Sequence, residues 1–587
     1  MKRKLILLAF MLVSLVMTSS LFAESITKEQ AHTIAIKFLK SNPALTNVNQ
    51  LKMVYDGADK VKSAESSNPA LYIYDNPDGK GFVIVSGDDI AYPVLGYSFE
   101  NDFPQKNIPV NIRGWIEEME NRINYGRKNG FKSMEQPYTK ASEGDIVVKL
   151  TTAQWNQSQP YDMYTPKANG SQTPTGCTAT ATAIIMYYHK HPERGNGTIP
   201  QYYTPTNNIY MQSVQLGHTY NWNNMLDSYI TGQYTEEQAI NVARLMSDVG
   251  CAIKSDYTAD GTGAYTADVV KALVEYFDYD KSAIENFRSN IPNEDWFAMI
   301  KDELKEKRPV LYAGYNDESG HSFVLDGYTT DNYFSVNWGW GGSYNGYFLL
   351  DALNPSGSGI GGNNDHYNFN QICLTNLKPD AGGNWIERMS ISGEGFMSDY
   401  SSYEMNKEYN LLIDRLSNTG NCLFVGNIMC AHTDKYGNIK EILNDFYVSE
   451  ETNLLPQWGW SGFKLNIVIK KPIESGDRLR MFYKTARTDS WVLIKGGEGC
   501  AWELILKNDN PIGRGISMSY NKESKKLTVN SASDINVTFH GPNNTDLNSR
   551  CTRENNKVTI DTKDLSTGTY IVKLVRRSES QEIKIAL

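Results

Sequence analysis

One cysteine constrains this chain more than any other residue. Cys177 stands in Thr175-Gly176-Cys177-Thr178-Ala179-Thr180-Ala181-Thr182-Ala183, directly ahead of the apolar run Ile184-Ile185-Met186-Tyr187-Tyr188. The pattern predicts a helix that begins at the thiol. The first N–H groups of a helix have no partner within it, and the helix dipole favours negative charge at that end. Both effects favour the thiolate, the form that attacks carbonyl carbon. His321 lies 144 residues downstream (321 − 177), and Asn337 a further 16 (337 − 321). A fold that uses these residues together must bring the start of a helix to the start of a strand.

The strand is legible. Ser322 to Tyr328 reads as a strand, Thr329 to Asn332 as a turn and Tyr333 to Trp338 as the returning strand. Residues equidistant from a hairpin turn pair across it. A turn centred on Thr329 sets His321 opposite Asn337, where an amide oxygen accepts the imidazole N–H and aims the ring. A turn centred between Thr330 and Asp331 offsets the pair by three residues. Of the eight histidines, His321 alone has such a setting. A cysteine followed by a histidine roughly 130–150 residues on is also the chain order of papain-like cysteine peptidases.

On these residues the chain resembles the streptopain family of secreted cysteine peptidases. The matching pieces include Asn156-Gln157-Ser158-Gln159-Pro160-Tyr161, Thr175 to Ala181, Gly320 to Gly327, Val336 to Gly342 and Asp351-Ala352-Leu353-Asn354-Pro355. The likeness runs from about residue 28 to 378. It implies an α+β papain-like catalytic domain, preceded by an α+β inhibitory prodomain. It also implies the roles. The Cys177 thiolate attacks the peptide carbonyl, His321 passes a proton to the leaving amine, and water resolves the acyl-enzyme. The oxyanion is received by the Cys177 backbone N–H and the side-chain amide of Gln157. Gln154, shifted by three, is the alternative donor. Trp338 and Trp340 shield the histidine's hydrogen bond from water, which strengthens it. The substrates implied are proteins or peptides, with the chain's own prodomain as intramolecular inhibitor. No cofactor or metal is expected.

The same triad serves acyl-transfer enzymes such as transglutaminases, and an adhesive protein with an inactive peptidase remnant is a further alternative. Other motifs are discounted. Gly357-Ser358-Gly359-Ile360-Gly361-Gly362 has the spelling of a dinucleotide loop, but no helix pattern opens behind it. It resembles instead the flexible glycine-rich loop beside the family's active site. His189 and His191 point to different faces of a helix and lack a third ligand. Asp256 and Asp260 lack the spaced oxygen ligands of a calcium loop.

At 587 residues the chain is too long for one core. Residues 1–23 read as a signal peptide: Lys2, Arg3 and Lys4 precede an apolar stretch shorter than the ~20 residues that span a bilayer. No later stretch is long and apolar enough to cross a membrane, so an exported chain is expected. Residues 24–142 read as the prodomain. They include capping-box spacing in Thr27-Lys28-Glu29-Gln30, three apolar strands and a helix from Ile112 to Asn124. The polar stretch Ser133 to Asp145 suits proteolytic release. The catalytic domain is expected over 143–379. Alternating strands then predict a β-sandwich domain over 380–509 and a small one over 510–587, an accessory or sorting module. The net charge of −10 argues against nucleic-acid binding. Seven scattered cysteines do not make a disulfide framework.

Overall fold

The computed structural model describes residues 24–586, apart from 46, 58–67, 78–79, 105–107, 132, 134–144, 316–319, 352–370, 508–516, 532–534, 543–544 and 577–578. The expected leader, nearly all of the expected cleavage stretch, residues 352–355 of the last motif and the glycine run 357–362 lie outside the described residues.

Helix α1 (Lys28–Leu39) begins with a reciprocal cap. Thr27 Oγ1 accepts the Gln30 N–H at 3.3 Å, and Gln30 Oε1 accepts the Thr27 N–H at 2.7 Å. Its buried residues Ala31, Ala35, Phe38 and Leu39 make one helical face. Strands β1 (Lys52–Tyr55), β2 (Leu71–Asp75), β3 (Phe82–Ser86) and β4 (Val94–Ser98) follow, paired antiparallel in chain order. Helix α2 (Val110–Lys128) completes the amino-terminal region. Strands β3 and β4 are buried on both faces, which explains their near-continuous apolar sequence.

The next region contributes β5 (Ile146–Lys149), α3 (Cys177–His189), α4 (Glu236–Ala252), α5 (Thr266–Tyr276), β6 (Ile284–Phe287) and α6 (Asn293–Lys305). Strands β7 (Val310–Tyr315), β8 (Gly320–Thr329), β9 (Phe334–Asn337), β10 (Gly346–Phe348) and β11 (Gln371–Thr375) complete it. Its sheet does not stop at its own boundary. The order is β1-β2-β3-β4-β10-β9-β8-β7-β11-β6, with β5 also paired to β8. The junction is antiparallel, Tyr97 opposite Tyr347 and Gly96 opposite Phe348. A Cβ at Gly96 would lie 2.6 Å from the Phe348 ring, so only glycine permits this approach.

This sheet is a wall between two cores. On one side, residues of α1, α2 and β2–β4 form one cluster with Phe323, Leu325, Val336, Trp338 and Phe348. On the other, α3, α4 and α5 pack with Leu311, Ala313, Val324 and Leu374. Strand β8 alternates between them, as a two-residue period requires. Helix α3 lies deep in the second core, with Thr178 through Tyr187 all buried.

The carboxy-terminal third is β-rich. Residues 389–505 form a four- and a five-stranded sheet that share one core, including Ile391 and Leu411 from one sheet and Ile428 and Met481 from the other. Residues 517–586 repeat the scheme with a four- and a three-stranded sheet. Strands at Met389–Met397 and Ile439–Val448 each break simple alternation, the first at Gly393 and Gly395 and the second by register shifts. All seven cysteines are free thiols, and Cys430 sits inside a strand.

Candidate active site

Cys177 is the first residue of α3. Gly176 precedes it with φ +89°, and a Cβ there would lie 2.5 Å from the Thr262 carbonyl oxygen. Glycine is therefore required for the chain to turn into the helix. No side chain caps this end, so its N–H groups remain available beside the half-buried thiol.

Strand β9 ends at Asn337, opposite Val324. On that side of β8, residues 320–323 have no neighbouring strand, and α3 arrives there instead. The Ser322 N–H donates to Cys177 Sγ at 3.4 Å. His321, one residue earlier, points to the opposite face and lies under α2. A Cβ at Gly114 of α2 would be 2.0 Å from His321 Cε1, and one at Gly314 of β7 would be 3.3 Å from Nε2. The imidazole thus fits between two glycines. It is 5% exposed, and its Nδ1 has no hydrogen-bond partner. Burial pushes its pKa down to about 4, against the pull of Glu118 and Glu117 on α2. The docked ring is neutral.

Asn337 does not face His321. The turn is centred on Asp331, and a bulge between Leu325 and Gly327 shifts the register by one residue, so Asn337 stands opposite Val324, three residues beyond His321. Its Nδ2 donates to Thr152 Oγ1 at 2.9 Å and to the Ala153 carbonyl at 2.8 Å, and its Oδ1 accepts the Gly339 N–H at 3.2 Å. Here Asn337 ties the strand end to the segment leading to Gln157. Gln157 is 5% exposed; its carbonyl accepts the Thr175 N–H at 3.0 Å, and its Nε2 is buried without a partner. That leaves a buried donor without an acceptor on a residue whose backbone is bonded to Thr175, two positions before Cys177. Gln154 is exposed and stands against Gly342 instead.

Trp338 is buried against Phe323 and Phe348, with ring centroids 4.7 and 5.1 Å away. Asn111 of α2 holds this turn: its Nδ2 donates to the Trp338 carbonyl and its Oδ1 accepts Trp340 Nε1–H, both at 2.8 Å. Farther along α2, Arg122 donates to Asp351 at 2.6 Å and Gln371 donates to Glu118 at 2.6 Å. Arg288 also reaches Asp351, at 2.8 Å. None of these α2 partners was legible from the sequence. The one available signal was Gly114, a glycine within a helical pattern, which marks close backbone approach.

Among the described residues no cluster of histidine, cysteine and acidic side chains is arranged to hold a metal ion. His189 is half-buried, which lowers its pKa to about 4, and His191 Nε2 lies 2.8 Å from the Asp278 carbonyl. No described helix is long and apolar enough to cross a membrane.

What the fold and this site define, as a class, is a cysteine peptidase made as a zymogen. The chain belongs to the Peptidase C10 family, which matches residues 155–348, and the Spi protease inhibitor family matches residues 23–123. It is similar to streptopain of Streptococcus pyogenes, 34% identical over 398 residues that cover 63% of this chain and 96% of streptopain. It is also similar to the thiol protease/hemagglutinin PrtT of Porphyromonas gingivalis, 32% identical over 65% of this chain and 44% of that protein. Among solved structures, a fragment of Prevotella intermedia prointerpain A is 29% identical, covering 56% of this chain and 99% of that one with a TM-score of 0.45.

Proposed function

We propose that the chain is an exported, papain-like endopeptidase in which Cys177 is the nucleophile and His321 the proton carrier. The Cys177 N–H and the Gln157 side-chain amide receive the oxyanion. The observation that carries this reading is the meeting of the α3 start with the vacated edge of β8, which brings the thiol to the residue beside His321. The unpartnered Gln157 Nε2 supports the oxyanion assignment, because a buried donor without an acceptor is costly unless a substrate supplies one. Residues 24–142 inhibit by holding His321 neutral beneath Gly114, on the face away from the thiol. Cleavage within 133–145 releases that region, and the imidazole then turns to Cys177. The Trp338–Trp340 turn, freed from Asn111, then shields the ring, and Asn337 orients it. The catalytic domain spans 143–379. Residues 380–509 and 510–587 are β-sandwich modules that accompany it.

The test is expression of Cys177→Ala and wild type without other proteases. The variant is expected to remain full length and to hydrolyse no peptide. Hydrolysis at the wild-type rate would sink the assignment.

A further inference from the structure

The residues that follow Cys177 and His321 are also paired with each other. Thr178 Oγ1 and Ser322 Oγ are 3.0 Å apart, and the residues are only 4% and 2% exposed. Because His321 faces α2, the two-residue period turns Ser322 toward α3. Its main-chain N–H, on the side of β8 that β9 has vacated, is the donor to Cys177 Sγ at 3.4 Å. Helix and strand are therefore joined at two consecutive residues, hydroxyl to hydroxyl and N–H to sulfur. Both contacts lie within the catalytic region. Neither involves a residue of 24–142, so both persist when that region leaves.

Stability alone does not account for a buried hydroxyl pair here. Replacing both members of such a pair with apolar groups of similar shape is nearly neutral for folding. What the pair supplies is direction, since a hydrogen bond fixes distance and angle where apolar contact does not. Resting on the reading of Cys177 and His321 given above, we infer that Thr178 and Ser322 are positioning residues for peptide hydrolysis. They clamp the nucleophile's helix to the histidine's strand and hold the Ser322 N–H on the sulfur, so that these two main-chain segments stay in place while the His321 side chain turns on activation.

The experiment compares Thr178→Val, Ser322→Ala, the double variant and Thr178→Ser, with each precursor processed by immobilised wild-type enzyme. Small-peptide kinetics and the rate of Cys177 alkylation by iodoacetamide are measured, alongside thermal midpoints. Each single variant is expected to lose roughly 10- to 100-fold in kcat with KM within about twofold, because a displaced reacting pair loses rate before affinity. The double variant should regain thermal stability relative to the singles but not kcat. Alkylation should slow in parallel, and Thr178→Ser should keep wild-type kcat. Two outcomes overturn the inference: kcat within twofold of wild type in the double variant, or recovery of kcat together with stability, which would make the pair a folding element only. Failure of the underlying reading would show separately, as activity surviving in Cys177→Ala.

Discussion

At Gln157 a buried side-chain amide nitrogen has no acceptor, an arrangement that costs about 1–3 kcal/mol. If it is an oxyanion donor, function and stability pull in opposite directions at this residue. Gln157→Met is expected to lower kcat by roughly 10²–10³ with little change in KM. Its denaturant midpoint should be no lower than wild type, because the substitution removes an unsatisfied group. A pure KM effect would make Gln157 a substrate-binding residue instead. Cys177→Ala and His321→Ala should be equally damaging, since nucleophile and proton carrier act as one unit. Asn337→Ala should be milder in kcat/KM. A folded Asn337 variant less active than the His321 variant would contradict the assigned roles.

Helix α2 acts through one missing side chain. At Gly114 a Cβ would stand 2.0 Å from the imidazole, while the helix itself gains about 1 kcal/mol from alanine in place of glycine. Gly114→Ala in a separately expressed 24–133 segment should therefore fold at least as well by circular dichroism. It should nevertheless inhibit the processed enzyme about tenfold less, because overpacking disfavours docking. Equal inhibition by both segments would remove α2 from the mechanism. The same contact makes docking depend on pH. Burial lowers the His321 pKa from 6.5 to about 4, so the docked state favours the neutral ring. In the free enzyme the ring stands beside the Cys177 thiolate, which favours its protonated form, so docking releases a proton. As pH falls toward 4 that release becomes harder, and affinity drops by up to about tenfold per unit. Glu118 and Glu117 oppose this and set its lower end. Titration of inhibition against pH should show the loss in wild type. In His321→Ala, which is inactive, the same titration by fluorescence binding should be flat through this window.

In the whole molecule, the amino-terminal and catalytic regions share one sheet and the core on one of its faces rather than meeting as two domains in contact. Strand β4 extends the catalytic sheet at β10, and Arg122 is buried against Glu118 and Asp351 where the two regions meet. Removing Arg122 leaves Asp351 paired with Arg288 and Glu118 bonded to Gln371, so the cost falls short of the about 3–5 kcal/mol of a fully orphaned buried charge. Arg122→Met should weaken inhibition in trans by roughly tenfold, measured with a small peptide substrate. An unchanged inhibition constant would shift the weight of docking to the sheet junction. The carboxy-terminal region is fastened at the edge strand β6 of the shared sheet, through Arg388 to Asn286 at 2.9 Å and Asn421 to the Ala283 carbonyl at 2.8 Å.

Local chemistry was legible in the sequence wherever the signal is local. The Thr27–Gln30 cap, the helix opening at Cys177, the hairpin around Thr330 and the strands of the amino-terminal region all follow from spacing and residue type over a few positions. So did the candidate nucleophile, because a helix end and a thiol are neighbours in the chain. Three features were decided only by the tertiary structure. Asn337 pairs with Val324 because a bulge between Leu325 and Gly327 changes the register that the turn sets, and a slip of one residue changes every partner. His321 faces α2 because β8 is buried on both sides, and burial on both sides leaves no alternation in the sequence from which to read a face. The Thr178–Ser322 pair joins residues 144 positions apart. Contacts at that separation arise from the packing of α3 against β8, and no periodicity along the chain records them.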